Sequence, residues 1–348
     1  MKTKKINLWV LLAVSTLFAA CHTPHNLLYT TIDVLRPAEV IFPTNVNSLL
    51  LANNCVTQPE NVGHSVSLLN DDTKSVSIRT DSLPMFLLSA LNEELGNKGF
   101  FADNYLMINT LNAGKDFSKI SPLAVSQVKN LAEPTGADAV LALNKLEVVD
   151  LLSEGYNMYS EEYVLGLDVV YNSYWTLQFA DNQRTQVFIF RDTVYWEASS
   201  YNRHQLIDNF PDRYDALVDG ALYVGQKMIN RLVPYWEEND RYLFDINSSL
   251  MQQGMDFVHA RDWTGAIPLW QNALEQTDKA KDKALIQSNI AVAQEITGNL
   301  DDALISITQA IENYGKGNKK ELNTMLDCKE QLVARLKQQK LLREQIGE

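Results

Sequence analysis

The sequence has 348 residues, of which 30 are basic and 43 are acidic, so its formal net charge at pH 7 is −13. An acidic chain is a poor match to nucleic acid or to an anionic membrane surface, both of which favour an excess of Lys and Arg. With 46% hydrophobic residues and only 10 prolines and 15 glycines, the composition is that of a globular protein. The length exceeds what one hydrophobic core usually serves, so two domains are expected.

Residues 1–20 have the layout of an export signal. Lys2, Lys4 and Lys5 precede an apolar run over 6–20. That run is about fifteen residues long, and at ~1.5 Å per residue it is too short to span a ~30 Å hydrocarbon core as a permanent anchor. We therefore expect the segment to be removed.

The segment 17–20, Leu-Phe-Ala-Ala, directly before Cys21 resembles the lipobox of bacterial lipoproteins. The resemblance implies cleavage before Cys21 and a lipid on its thiol, which would anchor the chain to a membrane. The alternatives are an ordinary secretory signal cut after residue 19 or 20, or an uncut anchor. His22 and His25 are interpreted as part of a polar linker, not as metal ligands. Residues 21–44 are expected to form a lipidated linker and a first strand.

Neither an aspartate next to Cys21 nor an acidic cluster follows in the linker. By resemblance to known sorting rules, the first absence disfavours retention in the inner membrane, and the second disfavours export to the cell surface in Bacteroidetes. We therefore expect an outer-membrane lipoprotein of the bacterial cell envelope that faces the periplasm.

Residues 45–200 are predicted to form an α/β domain. The predicted elements are a strand over 47–56, a helix over 82–98, a strand over 105–109, a helix over 122–132 and a strand over 139–149. Strands and helices that alternate at this length predict a sheet with helices packed on it.

A long antiparallel hairpin is predicted to extend the sheet. Residues 171–179 alternate between apolar and polar, 181–182 form a turn, and 186–196 return as the second strand. Aromatic residues with this alternation are interpreted as core residues. The alternative is a ligand site with Trp175 and Trp196 as its floor. The N-terminal fold class is therefore α+β or α/β, with a mixed sheet.

Two short segments carry resemblances to known families. Residues 135–140, Thr-Gly-Ala-Asp-Ala-Val, lead into a predicted strand after a strand-helix-strand-helix order. This pattern is similar to the α/β domain shared by the curli-secretion lipoprotein, the lipoprotein activators of penicillin-binding proteins and the N-terminal domain of the Tol translocation protein. Residues 35–39, Leu-Arg-Pro-Ala-Glu, together with the repeats described next, resemble an uncharacterised family of Bacteroidetes lipoproteins. None of these relatives implies an enzyme.

Residues 247–317 contain two copies of a pattern that resembles the tetratricopeptide repeat (TPR). In the first copy, the steps of 3, 12, 16 and 19 from Gly254 lead to Phe257, Ala266, Trp270 and Ala273. In the second copy, the steps of 12, 16 and 19 from Ala291 lead to Ala303, Ile307 and Ala310. Residues 261–263 and 298–300 supply equivalent turns. The resemblance implies an all-α domain of stacked helix pairs; two ordinary amphipathic hairpins are the alternative.

Two further helices flank the repeats. A helix over 213–233, within a connecting segment 201–246, is predicted to pack on the repeats or to join the two domains. Within 318–348, an amphipathic helix is predicted to cap the repeats, because stacked repeats need a cover for their last apolar face.

The sequence contains no recognised catalytic motif, since it has no Gly-x-Ser-x-Gly, phosphate loop, His-Glu-x-x-His or Cys-x-x-Cys. We therefore expect no enzyme activity, no cofactor and no metal. Cys55 and Cys328 are interpreted as separate buried thiols.

The expected function is partner binding, because stacked helix pairs present a rigid groove for a peptide or protein segment. Met251, Met255, Asn289 and Val292, on the first helix of each repeat, are the candidate contacts. The leading hypothesis is a non-catalytic lipoprotein of envelope assembly or secretion. One alternative is a glycan-binding or hydrolytic lipoprotein with its site on the α/β domain. Another is a structural subunit that oligomerises through its sheet edge and capping helix.

Overall fold

The structure is a computed structural model. It describes residues 27–69, 71–107, 109–111, 116–180 and 184–346. The predicted signal segment 1–20, the candidate lipidation site Cys21, and His22 and His25 lie outside these residues.

The described chain forms two compact units. The helical unit contains residues 27–36 and 236–342, and the α/β unit contains residues 37–235 together with the end of the last helix from Arg343. The α/β unit is thus inserted, in sequence, between the first strand of the helical unit and the rest of that unit.

The strands are β1 (Leu27–Arg36), β2 (Ser48–Asn53), β3 (His64–Ser67), β4 (Lys74–Ser75), β5 (Asp103–Met107), β6 (Ala139–Asn157), β7 (Glu162–Phe179), β8 (Thr185–Ser200) and β9 (Tyr235–Phe244). The helices are α1 (Leu83–Lys98), α2 (Val125–Ala132), α3 (Arg203–Asn209), α4 (Arg213–Leu232), α5 (Ser249–His259), α6 (Trp263–Gln276), α7 (Ala280–Ile296), α8 (Leu300–Tyr314) and α9 (Lys319–Ile346). This order confirms the predicted fold class, a mixed α/β region followed by an all-helical region.

The α/β unit is built on one mixed sheet that contains β2 to β8. β2 pairs parallel with β5 on one side and with β6 on the other. Further along the same edge, β6 pairs parallel with β3, while its opposite edge pairs antiparallel with β7. β7 then pairs antiparallel with β8, which is the predicted hairpin. β6 and β7 extend beyond their predicted bounds, to a tip where Asn157 lies opposite Glu162. The prediction was too short because the residues near this tip lack a clear apolar alternation.

Helices cover both faces of this sheet. Leu87 of α1 and Val224 of α4 are fully buried in the larger core, and α2 covers the smaller core on strands β2 and β6. Gly225 lets α4 approach α1 closely, since a Cβ there would lie 2.2 Å from the carbonyl oxygen of Leu87. The helix predicted over 213–233, in the connecting segment, is α4. Its apolar face packs against α1 and the sheet, so α4 belongs to the core of the α/β unit.

The helical unit contains two helical hairpins, α5 with α6 and α7 with α8, and Met325 and Leu332 of α9 complete its core. Gly254 and Trp270 are in close contact in the first hairpin: a Cβ on Gly254 would lie 2.2 Å from Trp270 Nε1. Trp270 is fully buried. The helix spacing predicted from small residues is therefore present in the structure.

The turns of the two hairpins share one hydrogen-bond pattern. The bonds run from Arg261 N to Val258 O and from Asp262 N to Phe257 O in the first turn, and from Gly298 N to Glu295 O and from Asn299 N to Gln294 O in the second. Arg261 and Gly298 occupy the same position and both have positive φ, 61° and 85°. The two hairpins are therefore equivalent at the position where the sequence aligns them.

β1 and β9 form a separate two-stranded sheet in the helical unit. Arg36 on β1 donates hydrogen bonds to Glu237 at 2.7 Å and Asn239 at 3.1 Å on β9. A strand is predicted near β1, within residues 21–44, whereas β9 lies in the predicted connecting segment 201–246. In the described part of the chain, no helix has the length and apolar character required to cross a membrane.

Candidate functional site

A cavity of about 780 Å³ lies in the helical unit, and seven consecutive residues of β1, Leu27–Asp33, line it. Neighbouring side chains of a strand point to opposite faces, so a cavity that touches every residue in turn runs along the backbone edge. The other edge of β1 pairs with β9. We call this cavity the strand-edge groove.

The rest of the lining comes from the helices, which form the opposite wall, and from Leu243 of the neighbouring strand β9. The helical residues are Met255, Val258, His259, Arg261, Trp263, Ile296 and Arg335. Apolar side chains predominate, and three basic side chains face a single acidic one, Asp33 of β1. The groove therefore combines a strand edge, an apolar wall and a basic rim, although the chain as a whole is acidic.

Arg261 occupies a costly backbone conformation at the rim of the groove. A side chain in the left-handed region costs about 1 kcal/mol relative to glycine. The second hairpin avoids this cost by using Gly298 at the equivalent turn. Arg261 is exposed, and among the described residues it forms no ion pair. Its guanidinium is therefore available at the groove.

A buried ion-pair network fixes β9 next to the groove. Arg241 donates from Nε and Nη2 to the two carboxylate oxygens of Glu295, at 2.6 and 2.7 Å, and Arg335 donates to Glu295 Oε1 at 3.0 Å. The Arg241 and Glu295 side chains are 4% and 0% exposed. Burial opposes the charge of Arg241, but the bonds to Glu295 outweigh it and the pKa of Arg241 is raised. The strand is thus held to α7 by charged hydrogen bonds.

The predicted partner contacts are mostly enclosed. The Asn289 side chain donates to Phe244 O at 2.9 Å and accepts from Phe244 N at 2.8 Å, so it binds the end of β9 through both backbone groups. Met251 and Val292 are 1% exposed. Met255 does line the strand-edge groove. We therefore remove Met251, Asn289 and Val292 from the candidate partner-binding surface, because the chain's own residues cover them.

The tryptophans of the predicted hairpin do not form an open site. Trp175 is fully buried, donates from Nε1 to Ser173 Oγ at 2.8 Å, and stacks on Phe188 with ring centroids 6.4 Å apart. Trp196 is half-buried against the same core. The interpretation of these rings as core residues therefore describes them better than the ligand-site alternative.

A buried polar cluster surrounds His64, and it was not predicted from the sequence. The Nδ1 atom of His64 hydrogen-bonds Asp150, whose second oxygen accepts from Arg213 Nε at 2.6 Å, and both the His64 and Asp150 side chains are 0% exposed. The Gln58 amide nitrogen lies 3.4 Å from His64 Nε2, where a catalytic relay would place a nucleophile. The cluster therefore joins β3, β6 and α4. Its members are far apart in sequence, so no local pattern reveals it.

Cys55 and Cys328 are buried free thiols in different units. Burial raises the pKa of Cys328 to about 12 and also raises that of Cys55, so both are protonated at neutral pH. Among the described residues, no group of three or more His, Cys, Asp or Glu side chains is placed to hold a metal ion.

These features define a class of protein with a mixed α/β unit and a unit of paired helices. Residues 46–244, more than half of the chain, match the family model described as Domain of unknown function (DUF8603), and the chain belongs to that family. Residues 252–334 match a second model, Domain of unknown function (DUF6340). The first match ends at Phe244, the last residue of β9, so it includes a strand that packs in the helical unit.

No curated protein matches the chain. Two solved structures are similar over part of it, each with 12% sequence identity. One, titled as the crystal structure of an uncharacterized protein, has a TM-score of 0.21 and covers 53% of this chain and 90% of its own. The other, a putative neuraminyllactose-binding hemagglutinin homolog from Helicobacter pylori, has a TM-score of 0.27. The similarity covers 54% of this chain and 86% of the homolog. Scores this low carry no argument about fold or function.

Proposed function

We propose that this chain is a non-catalytic, lipid-anchored protein of a bacterial cell envelope, at the periplasmic face of the outer membrane, and that its helical unit binds an extended segment of a protein partner. In this proposal the two hairpins are TPR-like repeats, and the partner takes part in envelope assembly or secretion. The strand-edge groove is the observation that carries it, because an apolar wall there faces an edge of β1 that no strand pairs with in the described part of the chain.

The contact between α7 and β9 supports the proposal that the partner binds as an extended segment. Asn289 bonds the backbone of Phe244 through both its amide groups. Such contacts recognise main chain rather than a particular side chain. Seven strand residues extend over ~23 Å, and the volume of about 780 Å³ lies within the ~300–1,000 Å³ typical of ligand pockets.

The resemblance of residues 17–21 to a lipobox supports the anchor. Six residues from Cys21 to Leu27 span about 20 Å at most when fully extended. A lipid on Cys21 would therefore keep the groove close to the membrane surface. Metabolic labelling with an alkyne fatty acid tests this step: the intact sequence should be labelled, whereas Cys21→Ser should not, and equal labelling of both would contradict it.

Site-specific photocrosslinking in intact cells tests partner binding. Tyr29 lines the groove and is 74% exposed, so p-benzoylphenylalanine should be tolerated at position 29. Position 159, at the tip of the β6–β7 hairpin, is a matched control because it is likewise an exposed tyrosine. We expect a defined protein adduct from position 29 and none of that mass from position 159. Adducts of the same mass from both positions, or none from position 29, would refute the proposal.

A second candidate function is a structural subunit that assembles through β8. In the described chain β8 pairs with β7 alone, and Val187 and Ile189 on it are 69% and 54% exposed. A strand edge with exposed apolar side chains favours pairing between chains. Sedimentation should then show an oligomer that Ile189→Lys dissociates, and a concentration-independent monomer would exclude this function.

A further inference from the structure

We infer that the strand-edge groove accepts an acidic extended segment, which adds to β1 as a third strand and places a carboxylate against Arg261. This inference rests on the proposed function and specifies the chemistry of the partner. It joins two observations: among the residues that the structure describes, β1 pairs with β9 alone, and the basic side chain of Arg261 lies at the rim.

The backbone supplies the first part of the recognition. A strand with one edge unpaired presents alternating N–H and C=O groups. An added strand would satisfy these groups with main-chain hydrogen bonds, and its alternate side chains would meet the apolar wall that includes Met255, Trp263 and Ile296. A helical or compact ligand would leave the edge of β1 unsatisfied.

The rim supplies the second part. Arg335 is already paired with Glu295, whereas Arg261 and His259 form no ion pair among the described residues. Asp262, next to Arg261, accepts a hydrogen bond from Gly265 N at 2.8 Å as the N-cap of α6. The one acidic side chain of the lining, Asp33, lies on β1. Arg241 and Arg335 share the one carboxylate of Glu295, so these three side chains carry one positive charge in excess. With Arg261 and Asp33 added, the lining and its ion-pair network still carry a net positive charge, which favours an acidic segment.

The comparison between hairpins singles out Arg261. Both turns need a left-handed residue, and Gly298 is the unstrained solution. An arginine at the equivalent position adds strain without adding any ion pair in the described structure. Backbone strain of this kind is often found at functional sites. The guanidinium can form paired hydrogen bonds with a carboxylate, which gives geometric specificity as well as attraction.

Peptide binding to the full-length lipidated protein in detergent tests the inference. The probes are fluorescein-labelled heptapeptides of alternating threonine and valine with one glutamate, placed at each position in turn, and matched peptides with glutamine or lysine there. Fluorescence anisotropy measures affinity. In at least one register the glutamate peptide should bind about tenfold more tightly than its glutamine match, and the lysine peptide should bind more weakly still.

The variant Arg261→Gly removes a positive charge of the rim without disturbing the turn. Glycine suits the left-handed turn, so the variant should unfold at the same temperature or higher. Its affinity for the glutamate peptide should fall to that of the glutamine peptide. Gly298→Arg is the converse control, because it adds an arginine at the other turn and should destabilise the protein without improving binding.

Hydrogen exchange locates the bound peptide. Amides of residues 27–33 should become protected when the glutamate peptide is added, and N-methylation of alternate peptide amides should abolish that protection. Equal affinity for glutamate and glutamine peptides, protection confined to other residues, or no binding of any peptide at about 1 mM would overturn the inference. A position-29 crosslink in cells together with any of these results would leave the proposed function standing while refuting the acidic-strand inference.

Discussion

Asp138 is the residue that joins the starts of two parallel strands. Its Oδ2 atom accepts hydrogen bonds from Asn47 N at 2.8 Å, from Ser48 N at 2.9 Å and from Ser48 Oγ at 2.9 Å. The bond from Asn47, opposed by partial burial and supported by those from Ser48, lowers the pKa of the carboxyl group. The segment that carries a family resemblance, residues 135–140, therefore contains a structural carboxylate between β2 and β6.

Asp138→Asn should make the stability less dependent on pH. Because the folded-state pKa is lowered, the ionised carboxylate stabilises the fold above its unfolded pKa of ~3.9. That stabilisation is lost as the pH falls through the folded value. We expect the variant to lose about 1–2 kcal/mol at pH 7, and the difference from the parent should narrow below about pH 4. Urea unfolding at several pH values measures this.

The exposed Asp278 provides the control for Asp138. Asp278→Asn should leave the free energy of unfolding unchanged within about 0.5 kcal/mol. A difference between Asp138→Asn and the parent that stays constant as the pH falls would contradict the assigned role.

Gly254 and Gly96 should respond oppositely to replacement by alanine. Both lie inside helices, where alanine is usually favoured over glycine by about 0.5–1 kcal/mol. Gly96→Ala should show that gain, because its Cβ would meet only Asn104 Oδ1 at 3.8 Å. Gly254→Ala should instead lose about 1–3 kcal/mol by overpacking, since the Cβ would lie 2.2 Å from Trp270. Equal effects in chemical denaturation would disprove the helix contact.

At the scale of elements, the network of Arg241, Glu295 and Arg335 links β9, α7 and α9. Removing the central acid leaves two arginines without their partner in a buried site. Glu295→Leu should therefore cost about 3–5 kcal/mol. The triple variant Arg241→Met, Glu295→Leu and Arg335→Met should recover most of that loss, because it leaves no buried unpaired charge. Thermal and urea unfolding of the single and triple variants measure this difference.

The exposed pair of Lys74 and Asp71 provides the comparison, with side chains 64% and 50% exposed. Asp71→Ala should cost less than about 1 kcal/mol. If Glu295→Leu cost no more than Asp71→Ala, the buried network would not be what holds β9.

The elements that the sequence predicts well are those with local contacts. Gly254 and Trp270 are only sixteen residues apart, so their spacing on two successive helices is visible in the chain itself. The predicted hairpin of β7 and β8 is equally local. By contrast, the apolar face of α4 indicates burial without indicating which core it enters. Its assignment to the α/β unit requires the contact between Gly225 and Leu87.

The candidate site was only partly predictable for the same reason. The sequence predicts a groove on the first helix of each hairpin, and Met255 of α5 lines the strand-edge groove. It does not indicate that β9 lies against Asn289, because this contact joins residues forty-five positions apart with no shared pattern. The pairing of β1 with β9 spans an entire inserted unit. The centre of β9, residues 237–241, is Glu-Glu-Asn-Asp-Arg, which resembles a surface loop as much as a strand.

At the scale of the whole molecule, the helical unit is discontinuous in sequence. Its strand β1 precedes the α/β unit, and β9 with the five helices follows it. Residues 236–346 alone should therefore leave β9 unpaired and be unstable or aggregate. A polypeptide that joins residues 27–36 through a short Gly-Ser linker to 236–346 should fold cooperatively. Size-exclusion chromatography and circular dichroism distinguish the two.

The α/β unit provides the control for this experiment. Residues 37–235 are continuous and contain their own core, so they should fold as a separate polypeptide. Cooperative folding of 236–346 without residues 27–36 would show that β1 is not an integral part of the helical unit.

The insertion also predicts an order of folding. Pairing β1 with β9 closes a loop of about 200 residues, which costs several kcal/mol of chain entropy when the loop is unfolded. A folded α/β unit removes that cost, because it already brings its own ends together: Val40 N donates to Arg231 O at 2.9 Å. We therefore expect the α/β unit to fold before β1 pairs with β9. In that order the strand-edge groove forms last, so an incompletely folded chain would have no groove with which to engage a partner.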